Sequence, residues 1–160
     1  MTHTTVPRRE ARLAAVALAA LAAGLLVYWG QRDVSHSTLI PAFPVIAGSI
    51  GFGTLGQWLP SFLHTLAFGL LTAVVLPPRF ALRAAACCAW AVVNIAFEAG
   101  QHPRLAAAWG ETFGPGPITS YFERGTFDAG DIVAALLGAL VAIGVFAATR
   151  STSRNCDEDA

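Results

Sequence analysis

Four apolar runs alternate with short polar connections along the chain, and each predicts a membrane-crossing helix. Residues 13–29 form an unbroken apolar stretch that closes on Tyr28 and Trp29, ring types suited to a membrane interface. Residues 59–76 open with Pro60 in the first turn and stop at Pro77-Pro78, which a helix does not easily pass. Residues 80–98 carry Arg83 near their start and Asn94 near their end, and residues 132–149 are apolar up to Arg150. Each run is about 17–20 residues, close to the roughly 20 that a hydrocarbon core of about 30 Å requires.

Residues 38–58 are also uncharged, but Pro41, Pro44, Gly48, Gly51, Gly53 and Gly56 argue against a regular helix, and Leu59 follows with no room for a turn. That segment reads as an interfacial or re-entrant loop, which needs protein around its backbone at membrane depth. The expected architecture is all-α, an integral membrane bundle of four transmembrane helices forming one domain over 13–149. Residues 1–12 precede it and a polar tail, 150–160, follows without fixed structure.

Composition agrees. Of 160 residues, 55% are hydrophobic and 12% charged, about half the usual charged share, and the mean hydropathy is +0.58. A soluble globular domain and a disordered chain are both excluded. Ten basic and ten acidic residues leave a formal net charge of zero, so no field gathers nucleic acid. The three cysteines, Cys87, Cys88 and Cys156, make no disulfide framework and read as small buried hydrophobes plus a tail thiol.

Every basic residue is arginine, and their placement predicts orientation. With the N-terminus inside, Arg8, Arg9, Arg12, Arg79, Arg83, Arg150 and Arg154 are cytoplasmic, against Arg32, Arg104 and Arg124 outside. The excess inside puts both termini in the cytoplasm. The first run ends in bulky Tyr28-Trp29 rather than a small-residue cleavage site, so it reads as a retained helix.

Polar residues inside or at the edge of a membrane are costly, and here they converge on the extracytoplasmic side. His64 lies about one turn inside the second span. Asn94, Glu98 and Gln101 follow i, i+4, i+7 spacing and share one helix face, with His102 next. Asp128 and Asp131 bracket the start of the fourth span, preceded by Glu123-Arg124. No comparable set is expected at the cytoplasmic edge.

These residues carry a resemblance. His64-x-x-x-Phe68, then Glu98-x-x-Gln101, then Arg124-Gly-Thr-Phe-Asp128-x-x-Asp131-Ile-Val-Ala134-x-x-x-Gly138 resembles the VanZ-like family over roughly residues 55 to 145. The resemblance implies a small protein of the bacterial cytoplasmic (inner) membrane with a cell-envelope role, including resistance to teicoplanin-type glycopeptides, without an established reaction. Two positions depart from the family pattern. Leu59-Pro60-Ser61-Phe62-Leu63 holds no acid before the histidine, and Ala135 stands where asparagine is often found.

Three readings of the cluster follow. In a membrane enzyme acting on a lipid-linked precursor, Glu98 and His64 serve as acid and base, Asp131 orients the histidine and Arg124 holds an anionic group. In a lipid-binding or accessory subunit, Arg124, Gln101, Asn94 and Asp128 bind without chemistry. A transporter is the weakest, because four short helices would have to act as an oligomer. Structural roles compete: His64 as an interhelical tie, Glu98 paired with Arg124, His102 at the interface, Asp128 as the N-cap of the last helix with Asp131 at N3. Metal-ligand spacings such as H-E-x-x-H are missing, and no metal or cofactor is expected. The expected partners are the lipid bilayer, a lipid-linked or glycopeptide-related ligand, and either a second copy or a membrane protein.

Overall fold

The structure is a computed structural model that describes residues 8–31, 53 and 55–158. The described residues form six helices: α1 (Arg8–Gln31), α2 (Leu55–Val75), α3 (Phe80–Gly100), α4 (Pro103–Phe113), α5 (Pro117–Arg124) and α6 (Ala129–Glu158). Four of them, α1, α2, α3 and α6, are long and apolar enough to cross a membrane. The chain is therefore a multi-pass membrane protein, and all-α among its described residues. Most of the anticipated loop 38–58 lies outside the described residues. Its last part, 55–58, belongs to α2.

Several boundaries differ from the sequence expectation. Because α2 starts at Leu55, Pro60 falls in its second turn and removes one backbone bond there. The last helix starts at Ala129 and continues through the polar residues to Glu158, where a tail without structure was expected. Its start matches the expected cap. The Asp128 carboxylate accepts the Gly130 N–H at 2.8 Å, and Asp131 lies in the first turn. The connection between α3 and α6 is not a simple loop but two short helices. Each begins with a proline, Pro103 and Pro117, whose fixed φ and missing N–H suit a first turn.

The second helix is central, packing on α1, α3 and α6, while α3 also packs on α6. Small residues let the backbones approach: Ala17, Ala20, Ala67, Ala91, Ala139 and Ala142 are buried with Leu13, Leu66, Leu70, Cys87 and Phe146. Gly138 marks the closest approach. A Cβ there would lie 2.5 Å from the Phe62 carbonyl oxygen and 3.1 Å from Thr65 Cβ, so only glycine fits without moving α2. Van der Waals packing of this kind drives helix association where lipid is as apolar as leucine. Leu18, Val92 and Leu140 remain exposed on the outside of the bundle, as a lipid-facing surface requires.

A polar set does exist at the end where α1 and α3 begin, contrary to expectation. Arg83, 2% exposed, donates to both Glu10 carboxylate oxygens at 3.0 and 3.3 Å and to the Leu76 and Pro77 carbonyls at 2.9 and 3.3 Å. Beside it, Arg9 donates to the Phe146 carbonyl at 3.0 Å and to Thr149 Oγ1 at 3.3 Å. Arg83 thus binds two carbonyls just past the end of α2 and ties α1 and α3 to the α2–α3 turn.

Candidate functional site

At the opposite end, where α3 finishes and α6 begins, the helices enclose an open cavity of about 1050 Å³. Its walls come from α1 (Tyr28), the first turns of α2, the last turns of α3, α5, and the start of α6. Asn94, Glu98, Gln101, Arg124, Asp128 and Asp131 all line it. Six of the seven site residues picked from the sequence are therefore brought to one space.

The acids there are held by neighbours. Glu98, 9% exposed, accepts the backbone N–H of Asp128 on its Oε1, linking the end of α3 to the cap of α6. Asp128 also accepts Trp58 Nε1 at 2.9 Å, and the Trp58 indole occupies the space that a side chain at Gly130 would need. Asp131 accepts the Ser61 hydroxyl at 2.7 Å, joining α6 to α2. Among the described residues, no three His, Cys, Asp or Glu side chains come close enough to form a metal site.

The amides are partly engaged. Asn94 donates to Thr65 Oγ1 at 3.1 Å and to the Trp90 carbonyl at 3.0 Å. Thr65 is fully buried and donates in turn to the Ser61 carbonyl at 2.9 Å. Gln101 reaches Tyr121 Oη only at 3.5 Å, and its side chain fills the place beside Gly125 where a Cβ would sit.

Arg124 differs from the acids. It is exposed in the last turn of α5, where the helix C-terminus favours a cation. Among the described residues it makes neither an ion pair nor a hydrogen bond. The anticipated Glu98–Arg124 pair is not formed; the Glu98 carboxylate instead accepts the Asp128 N–H.

His64 is the one predicted site residue outside the cavity. It lies exposed on α2, with its ring 4.5 Å from Phe68 and 6.5 Å from Trp90 by centroids. His102 is also outside, where it caps α4 by accepting the Arg104 N–H at 3.4 Å and meets the Phe127 ring edge-on. The sequence reading passed over Trp58, Ser61, Thr65 and Tyr121. Ser61 and Thr65 are spaced i, i+4, the same periodicity that singled out Asn94 and Glu98 on α3.

No family model matches the chain, and no curated protein or solved structure shows significant similarity to it.

Proposed function

We propose that this membrane protein binds the polar head of an anionic amphiphile in the cavity, in the cell-envelope role that the VanZ-like resemblance implies. The observation that carries the reading is the Arg124 guanidinium, which has no partner among the described residues, on the wall of a cavity whose acids are already engaged. A guanidinium presents paired donors that match phosphate or carboxylate geometry. The cavity volume is near the upper end of the roughly 300–1,000 Å³ typical of small-molecule sites, enough for the head group of a lipid-linked precursor.

The arginine excess at the starts of α1 and α3 supports cytoplasmic termini, with the cavity opening on the extracytoplasmic side, and the resemblance implies a bacterial inner membrane. A membrane enzyme is the second reading, favoured by Glu98, Asp128 and Asp131 around one cavity. In that case Glu98 would act without His64, which lies elsewhere on α2.

Lipid retention tests the proposal. Purified full chain is extracted, and the bound lipids are quantified by mass spectrometry beside Arg124→Ala. The variant is expected to lose the anionic species that the unsubstituted chain retains. Equal retention of the same species by both proteins contradicts it. Glu98→Gln separates the two readings: binding without chemistry survives the loss of a proton donor, and turnover does not. Teicoplanin susceptibility of bacteria complemented with each variant reads the envelope role.

A further inference from the structure

The helices α4 and α5 carry large apolar residues, Leu105, Trp109, Phe113 and Ile118, that do not line the cavity. At about 100° per residue, Leu105, Trp109 and Phe113 fall on one side of α4, while Arg104 and Glu111 fall on the other. In α5, Ile118, Tyr121 and Phe122 share a face opposite Ser120, Glu123 and Arg124. Both helices are amphipathic, yet their large apolar residues are largely uncovered. Phe113 is 67% exposed and Ile118 is 71% exposed. These two flank the turn between the helices, the part farthest from where the hairpin joins the spans.

We infer that α4 and α5 form a hairpin embedded in the interfacial layer of the bilayer, with Leu105, Trp109, Phe113 and Ile118 in contact with lipid. Two observations select lipid as the occupant. The first is tethering: α4 starts at Pro103 just after α3 ends at Gly100, and α5 ends at Arg124 shortly before α6 starts at Ala129. Both flanking helices are membrane spans, and connections this short hold the hairpin at the membrane boundary.

The second is continuity. Phe97, half exposed at the end of the span α3, packs on Tyr121 and Phe122 at 6.1 and 6.0 Å between ring centroids. Phe122 stacks on Trp109 at 5.9 Å, and Trp109 stacks on Phe113 at 5.0 Å. A continuous run of ring contacts therefore leads from Phe97, at the rim of the cavity on α3, to the exposed rings of the hairpin. Gly100 permits the junction, since a Cβ there would lie 2.6 Å from the Phe122 ring. Aromatic residues with an apolar body and a polar handle suit this depth, and an amphipathic helix lies there with its apolar face buried. The wall that α5 gives to the cavity then stands at head-group level.

Site-directed nitroxide labelling of the full chain in phospholipid vesicles tests the inference, after Cys87, Cys88 and Cys156 are replaced by alanine. Labels at Phe113→Cys and Ile118→Cys should collide with oxygen severalfold more than with a water-soluble nickel chelate. Labels at Glu111→Cys and Glu123→Cys should show the reverse. Equal access of the chelate to all four sites means a solvated hairpin and overturns the inference. Shielding of residues 113 and 118 from both probes means coverage by a second copy or another protein and overturns it equally. A second measurement needs no cysteine background. The fluorescence lost on Trp109→Phe in the otherwise unaltered chain should be quenched by lipids brominated high on the acyl chain, and no quenching of that component contradicts the embedding.

Discussion

The two ends of the bundle handle charge in opposite ways. Where α1 and α3 begin, Arg83 and Glu10 meet in a bidentate pair, and the arginine also donates to two carbonyls just past the end of α2. Where α3 ends and α6 begins, Glu98, Asp128 and Asp131 are each fixed by a neighbour, yet they stand around an open cavity with Arg124 on its wall, unpaired among the described residues. In low-dielectric surroundings an unmatched charge is expensive. A chain that closes one end completely can leave a cation uncommitted at the other, where water or a ligand reaches it. The difference teaches that charge in this protein marks structure where it is paired and buried, and that the proposed binding role belongs where it is open.

The sharpest way to break this comparison is to open the closed end. Arg83→Ala removes the buried member of the pair, leaves the partly buried Glu10 carboxylate without its partner and should cost about 3–5 kcal/mol, read as a large loss of folded protein in detergent unfolding. Glu10→Ala should do the same from the other side. Next in size is Gly138→Ala, which pushes α2 away from α6 beneath the cavity. It should cost about 1–3 kcal/mol as an overpacked contact, and damage binding through the fold while every cavity charge stays in place. Asp128→Ala removes the cap of α6 and the acceptor for Trp58, and a loss of about 1 kcal/mol is expected in the same unfolding assay. Arg124→Ala comes last for stability. An exposed substitution with no partner should stay within about 0.5 kcal/mol, although it should have the largest effect on lipid retention.

Much of this was legible in the chain because membrane spans are strongly patterned. The four long apolar runs and the Pro77-Pro78 break predict α1, α2, α3 and α6. The i, i+4, i+7 spacing of Asn94, Glu98 and Gln101 predicts the α3 wall of the cavity. Asp128 as a cap follows from local chemistry alone.

His64 shows where such reading stops. It and Thr65 are neighbours, about 100° apart on a helix, and packing buries small Thr65 beneath Asn94 while turning the more reactive histidine outward. The rotation of α2 is set by close contact with Gly138, a long-range fact that one helix's periodicity does not contain. Arg83 was legible only as a charge near a helix end. Its pairing with Glu10, far away in the chain, depends on which helices meet. The α4–α5 hairpin was hidden because its helices are short, although Pro103 and Pro117 each mark a start.

The most direct test of the division between the two ends is thermal unfolding of Arg83→Ala and Arg124→Ala beside the unsubstituted chain, in one detergent. The account predicts a strongly lowered Tm for Arg83→Ala and an unchanged Tm for Arg124→Ala. Equal losses of Tm in the two variants would mean that Arg124 holds the bundle together as Arg83 does, and would contradict the account.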